Sequence, residues 1–139
     1  MGRAAVRITA DTNVLLRAVL HDDPHQARIA DAALSGAEIV AIPLPVLCEF
    51  VWVLLRRYGR NAAEIAASIK DLIDSSNVRL DRPAVEAGLA VLEAGGDFAD
   101  GVIAFEGRRL GGSIFVSFDH DAVDLIAASG AEVRLLPSQ

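Results

Sequence analysis

The sequence is poor in cysteine and lysine. Its 139 residues contain one cysteine, Cys48, and one lysine, Lys70. A single cysteine excludes an intramolecular disulfide and a zinc site built from several cysteines. Because lysine is so scarce, any ion pair that neutralises a buried acid must come almost entirely from arginine.

Long apolar runs are also missing, although 53% of the residues are hydrophobic. Glu49, Arg17 or a glycine interrupts the longest apolar stretches before they reach membrane-spanning length, and the N-terminus lacks the pattern of a signal peptide. We therefore expect a cytoplasmic protein with no membrane partner. The length and the hydrophobic content suit a single domain over residues 1–139.

The formal net charge is −6, so a broad basic surface for duplex nucleic acid is not expected. A nucleic-acid substrate is still compatible with this charge if several acids hold a divalent cation. Arginine pairs at Arg56 and Arg57 and at Arg108 and Arg109 offer contacts to phosphates. Ordinary solvated helix ends explain each pair at least as well.

Strand-like and helix-like segments alternate along the chain. The pattern predicts strands over residues 6–10, 38–42, 77–80, 113–116 and 132–135. It predicts helices over residues 12–20, 25–34, 44–57, 62–73, 82–94, 100–109 and 121–128. This alternation predicts an α/β fold with a mainly parallel central sheet of four to five strands and helices on both faces. Ligands bind such sheets beyond the carboxyl ends of the strands.

Four acids stand at the edge of apolar segments or inside them: Asp11, Glu49, Asp100 and Asp119. Taking an unpaired carboxylate out of water is costly, so such a group shifts its pKa, pairs with a cation or binds a metal. Asp11 and Asp119 each follow a predicted strand, and we expect them to converge at one edge of the sheet. A hard divalent cation is the simplest common partner.

The role of Asp11 has two interpretations. Aspartate is a favoured N-cap, and Asp11 precedes the helix that begins near Thr12. If Thr12 or Asn13 caps the helix instead, Asp11 is available to a metal. The hydroxyl and the amide then suit contacts with metal-bound water.

Glu49 gives the strongest indication of a functional acid. Its helix is otherwise apolar on every face and should be buried. A surface glutamate on one wet stripe of the helix is the alternative. The neighbours on that side are Pro45 and Trp52, which offer no polar stripe. We therefore favour a functional role for Glu49.

The acids of the last two motifs have two alternative roles, as helix caps and as metal ligands. Asp97 suits the cap of the following helix, which leaves Asp100 as the favoured ligand, although the reverse assignment is open. Ser117, Asp119 and Asp121 form a polar turn after a strand, where turn and cap roles compete strongly. The position of Asp119 directly after the strand favours a ligand there.

These segments together resemble the PIN-domain family, particularly VapC-type toxins. The segments are DTNVLLR from Asp11, LPVLCEFVWVL from Leu44, DFADGVIA from Asp97 and FVSFDHD from Phe115. They cover nearly the whole chain in the family's order. The resemblance implies a PIN-like three-layer sandwich and a Mg²⁺- or Mn²⁺-dependent endoribonuclease that cleaves RNA. It also implies a homodimer and a small antitoxin protein that blocks the nuclease.

The resemblance assigns roles by position. Its catalytic acids match Asp11, Glu49, Asp100 and Asp119. We take Asp11, Asp100 and Asp119 as the metal ligands, and Thr12, Asn13, Asp97, Ser117 and Asp121 as auxiliary residues. Gly101 stands where alanine is common and Ser117 where threonine is common, and neither change removes a ligand.

Other protein classes fit less well. A phosphatase with an aspartyl nucleophile would need an acid where Asn13 stands, and a receiver domain would need a lysine after a late strand, whereas Lys70 lies in a predicted helix. A catalytically weak PIN-like binding protein and an RNA-processing nuclease without an antitoxin stay open. The apolar helix with Trp52 favours an assembly, although its own core could absorb it.

Overall fold

The structure is a computed structural model that describes residues 6–139. Residues 1–5, on which part of the signal-peptide prediction rests, lie outside the described residues. Helices and strands alternate as predicted, and the α/β class is confirmed. No helix in residues 6–139 is both long enough and apolar enough to cross a membrane. The chain divides into two compact units, one ending at Asp81 and one spanning Arg82–Gln139.

The first unit is built on a three-stranded parallel sheet. Its strands, hydrogen-bonded in this order, are β1 (Arg7–Thr9), β2 (Ile39–Ala41) and β3 (Val78–Arg79). Val40 in the middle strand lies opposite Ile8 on one side and Val78 on the other. These β-branched side chains suit a half-buried sheet surface. The N–H of Ala10 donates to the carbonyl of Ala41 at 3.0 Å, so pairing continues one residue beyond β1.

Four helices complete the first unit: α1 (Thr12–Leu20), α2 (Pro24–Gly36), α3 (Leu44–Arg56) and α4 (Ala62–Asp74). Asp23 caps α2, because its carboxylate accepts from the N–H groups of His25 and Gln26, both at 3.1 Å. Asn61 and Glu64 form a capping box at the start of α4. The largest fully buried side chains of this unit include Leu15, Leu47, Phe50, Leu54, Ile65 and Ile69.

The turn after α3 depends on Gly59. Its φ of +60° lies in the left-handed region, which costs little only for glycine. The N–H of Arg60 donates to the carbonyl of Leu54 at 3.0 Å and closes the turn over the helix end. This turn fixes the position of Tyr58, which contributes to the candidate site.

The second unit contains three helices and two strands. They are α5 (Arg82–Glu93), α6 (Phe98–Arg109), β4 (Ile114–Ser117), α7 (His120–Ala128) and β5 (Glu132–Leu135). β4 and β5 pair in parallel, with Ser117 opposite Leu135. Each of the three strand pairs in residues 6–139 is therefore parallel, as predicted. Hydrogen bonds link them in groups of three and two.

Glycines let α5 and α6 approach closely. A Cβ on Gly101 would contact the carbonyl oxygen of Ala87 and lie 2.8 Å from the Cα of Gly88. A Cβ on Gly88 would lie 2.7 Å from the ring of Phe98. Real Cβ atoms do not approach other atoms so closely. This contact fixes the first turn of α6, where Asp100 lies.

Candidate active site

Asp11 is the N-cap of α1. Its Oδ1 accepts a hydrogen bond from the N–H of Thr12 at 2.7 Å. The alternative in which Thr12 or Asn13 caps the helix is therefore wrong, because Asp11 already occupies the extended position before the first helical residue. Capping uses one carboxylate oxygen. Asp11 is exposed, and its Oδ2 makes no hydrogen bond with the described residues, so a role as ligand is still available to it.

Thr12 joins the start of α1 to the middle of α3. Its side chain is buried, and its hydroxyl donates to the Oε1 of Glu49 at 2.5 Å. The acceptor is a charged carboxylate, and a hydrogen bond to a charged acceptor is shorter and stronger than one to a neutral acceptor. Thr12 thus fixes one oxygen of Glu49.

The burial predicted for Glu49 is wrong, because Glu49 is exposed. One side of α3 packs into the core through residues such as Phe50 and Leu54, while Pro45, Glu49 and Trp52 lie on an exposed side. The exposed side contains apolar residues, so composition alone could not distinguish it from the buried side. Glu49 makes its hydrogen bond at the rim of a cavity.

That cavity has a volume of about 330 Å³ and belongs wholly to the first unit. It is lined by the acids Asp11 and Glu49, the aromatic residues Trp52 and Tyr58, and the basic residues Arg17 and Arg57. Thr12 and Asn13, both predicted as auxiliary residues, also line it. Carboxylates, cationic groups and aromatic rings therefore meet in one small space.

Arg17 organises one wall of this cavity. Its guanidinium donates to the Oδ1 of Asp22 at 2.9 Å and to the hydroxyl of Tyr58 at 3.1 Å. The hydrogen bond with Tyr58 raises the pKa of Arg17 above its ordinary value, against the effect of burial and with help from Asp22. Sequence reasoning missed Tyr58. Its available signal was the helix end followed by Gly59, which marks a turn that projects a neighbouring side chain.

Three acids interact in the second unit. Asp97 caps α6 by accepting from the N–H of Ala99 at 3.0 Å, as predicted. Asp100 follows in the first turn and is half-buried. Burial raises the pKa of Asp100 above its ordinary value, and the negative charges of Asp97 and Asp119 raise it further. Asp100, rather than Glu49, is thus the candidate acid with a desolvated carboxylate.

Asp119 is the N-cap of α7. Its Oδ1 accepts from the N–H groups of Asp121 at 3.0 Å and Ala122 at 3.2 Å. The Oγ of Ser117 accepts from the N–H of Asp119 at 3.0 Å, which fixes the backbone before the helix. The capping interpretation is therefore correct for Asp119, as it is for Asp11. In both residues the second carboxylate oxygen has no hydrogen-bond partner among residues 6–139.

The structure groups the predicted acids within each unit. Asp11 and Glu49 line one cavity in the first unit, and Asp100 interacts with Asp97 and Asp119 in the second. Within residues 6–139, no three His, Cys, Asp or Glu side chains are grouped so that they could hold a metal ion. The convergence of Asp11 with Asp119 stays a prediction.

The four candidate catalytic acids have no ion-pair partner among residues 6–139. Carboxylates without a protein cation are available to bind a metal ion, to orient water or to accept a proton. Arginine in the same cavity as Asp11 and Glu49 can bind a phosphate.

Comparison with known proteins identifies the family. None of the curated proteins matches the chain. A family model described as the PIN domain matches residues 8–127, a segment that contains all four candidate acids. Because this match covers most of the 139 residues, the chain belongs to the PIN domain family, whose members are generally metal-dependent nucleases.

Proposed function

We propose that this protein is an endoribonuclease that hydrolyses RNA phosphodiester bonds with Mg²⁺ or Mn²⁺. The observation that carries this proposal is the presence of Asp11 and Glu49 in one cavity with Arg57. The two acids have no basic partner among the described residues, and the arginine supplies a group that binds phosphate. A nuclease needs both features at one place.

The donor atoms fit a hard divalent cation. All the candidate ligands are carboxylates, and Mg²⁺ and Mn²⁺ prefer oxygen. Mg²⁺ usually keeps several waters and takes few direct protein ligands. The raised pKa of Asp100 also fits, because a nearby cation would relieve the repulsion from Asp97 and Asp119.

We assign the residues as follows. Asp11, Asp100 and Asp119 are the proposed metal ligands, and Glu49 is the fourth catalytic acid. A bound ion would activate water and neutralise charge on the phosphate. Thr12 donates a hydrogen bond to the Oε1 of Glu49. The Oε2 of Glu49 is then available to accept a proton from water.

Cleavage of single-stranded RNA with Mn²⁺ and with EDTA tests this proposal. Asp11→Asn should lower the rate by orders of magnitude, because an amide is a poor ligand for a hard cation. Asparagine is as good an N-cap as aspartate, so the fold should be unchanged. Asp23→Asn is the matched control, because Asp23 also caps a helix of the first unit and does not line the cavity.

The results of this experiment distinguish a nuclease from a binding protein and from a defect in folding. Full activity of Asp11→Asn would point to a contaminating nuclease or to another site. Inactive wild-type protein that still binds RNA would favour a catalytically weak PIN-like binding protein. Equal losses in Asp11→Asn and Asp23→Asn would show that the defect comes from the helix cap.

We further propose that the nuclease is the toxin of a toxin–antitoxin pair, forms a homodimer and is inhibited by a small antitoxin protein. Support comes from a groove of about 520 Å³ between α1 and α2, lined mainly by Val14, Ile29, Ala30 and Ala33. Ile29 is 56% exposed, and an exposed aliphatic groove marks a surface for a protein partner. An RNA-processing nuclease without an antitoxin is the second candidate.

A further inference from the structure

Trp52 lies where RNA bound at the cavity would meet it. Its side chain is 52% exposed, although tryptophan buries more apolar surface than most residues when it packs in a core. It stands one helical turn after Glu49 on α3 and lines the same cavity as Asp11 and Glu49. A phosphate near the two acids therefore has an adjacent aromatic face.

Two neighbouring arginines differ in their position relative to the cavity. Both arginines are exposed, but Arg57 lines the cavity and forms no ion pair with the described residues, whereas Arg56 does not line it. Arg17 also lines the cavity, but Asp22 partly neutralises its charge. Arg57 is therefore the cation available to an entering phosphate.

Tyr58 completes the wall, and its hydroxyl donates no hydrogen bond to residues 6–139. Its oxygen accepts from Arg17, and a phenol that accepts one hydrogen bond still has its own proton to donate. Tyr58 is 39% exposed, so an entering ligand can reach it. A base carbonyl or a phosphate oxygen would be a suitable acceptor.

We infer that this cavity is a nucleotide subsite in which one base of single-stranded RNA stacks on Trp52 while Arg57 binds an adjoining phosphate. The inference rests on the proposed nuclease function and adds the residues that hold the substrate. The volume of about 330 Å³ is near the lower end of small-molecule pockets, about 300–1,000 Å³. A pocket of this size suits one nucleotide. Stacking on an aromatic ring accepts every base, so Trp52 confers affinity without strict sequence preference.

The intrinsic fluorescence of Trp52 provides a direct test, because Trp52 is the one tryptophan of the chain. A short oligoadenylate added in EDTA, which prevents cleavage, should quench this fluorescence with the same Kd that anisotropy reports. An abasic ribose-phosphate chain of equal length should bind more weakly and leave the fluorescence unchanged. Binding of oligoadenylate without quenching, or no binding at all, would overturn the subsite.

Substitutions at Trp52 separate stacking from general packing. Trp52→Leu should weaken binding by about tenfold and raise KM more than it lowers kcat, whereas Trp52→Phe should keep most of the affinity because it keeps a ring. Leu110→Ala is the control, because Leu110 is 89% exposed and lies in the other unit. Unchanged binding by Trp52→Leu would refute stacking.

Light scattering on the same variants tests whether Trp52 belongs to a protein interface instead. If Trp52→Leu dissociates an oligomer and binds RNA normally, the residue belongs to a protein interface and the inference fails. If metal-dependent cleavage persists and falls with Asp11→Asn, the proposed function survives that failure. If cleavage is absent while Trp52 quenching is normal, the nuclease proposal fails and the subsite stands.

The salt dependence of binding tests Arg57. Arg57→Gln should lower the slope of log K against log salt by about 0.7, the value for one phosphate contact with a single strand. Arg56→Gln is the matched control, one residue away on the same helix end, and should leave the slope unchanged. Equal effects of the two substitutions would show a diffuse attraction to RNA and overturn the assignment of Arg57.

Discussion

The hydroxyl of Thr12 donates a hydrogen bond to the carboxylate of Glu49 at 2.5 Å, across 37 positions of sequence. It is the contact that joins the first acidic motif to the second. Thr12 is buried, whereas Glu49 is exposed. The buried hydroxyl therefore orients a carboxylate that solvent, a metal ion or a substrate can reach.

Thr12→Val should lower the cleavage rate by about 10- to 100-fold, the usual effect of losing a residue that orients a catalytic group. The free energy of unfolding should fall by about 1.5–3 kcal/mol, because a hydrogen bond to a charged acceptor is lost. Thr12→Ser keeps the hydroxyl and should restore most of the activity. Single-turnover cleavage and urea unfolding measure both effects. Full activity of Thr12→Val would show that the orientation of Glu49 is unimportant.

Asp100→Asn should stabilise the metal-free protein at neutral pH. The pKa of Asp100 is raised in the folded state, so the folded protein holds this proton more tightly than the unfolded chain. The contribution of Asp100 to the free energy of unfolding is therefore fully present below the ordinary carboxyl pKa and is lost as the pH rises through the raised pKa. The variant has no such loss, and its advantage should vanish in acid.

Thermal unfolding in EDTA, from acid to neutral pH, measures the difference in stability between Asp100→Asn and the wild type. Asp31→Asn, which alters an exposed acid on α2, is the control and should show no comparable gain. Added Mn²⁺ should reverse the order, because a bound ion stabilises the wild type by mass action and the variant has lost a proposed ligand. A variant that is less stable than wild type at neutral pH in EDTA would contradict the prediction.

The parts of the fold that could be predicted are those marked by local sequence signals such as helix caps and turn glycines. The bounds of α1 and β5 match the prediction, because capping residues and turn glycines mark them. α6 begins at Phe98, two residues before the predicted start, since Asp97 caps it. Caps involve residues only a few positions apart, so the sequence reveals them directly.

The contacts that build the cavity could not be predicted in this way. Arg17 and Tyr58 are 41 positions apart, and no local pattern pairs them. Glu49 was predicted to be buried because its helix is apolar. Apolar composition does not show which side of a helix is left exposed, and here Trp52 shares the exposed side with Glu49.

Gly101→Ala should destabilise the protein by about 1–3 kcal/mol, the usual cost of forcing a methyl group into a packed contact. The new Cβ would meet the backbone of α5, which is less able to yield than a flexible side chain. Gly107→Ala is the matched control on α6, because its Cβ meets nothing within 4 Å. It should leave stability unchanged or raise it by up to about 1 kcal/mol. Urea unfolding of both variants measures this, and a neutral Gly101→Ala would refute the close contact.

The last prediction is that the purified chain is a dimer and that a small protein encoded beside it binds and inhibits the nuclease. Light scattering gives the oligomeric state, and co-expression with the product of a small adjacent upstream gene tests the partner. Ile29→Glu places a charge in the α1–α2 groove and should weaken whichever contact uses that groove, because an unpaired charge is costly to bury. Leu110→Glu is the control for an exposed aliphatic residue outside it. A monomer that neither binds nor is inhibited by such a product would refute the toxin proposal, whereas Mn²⁺-dependent cleavage in that protein would still support the nuclease.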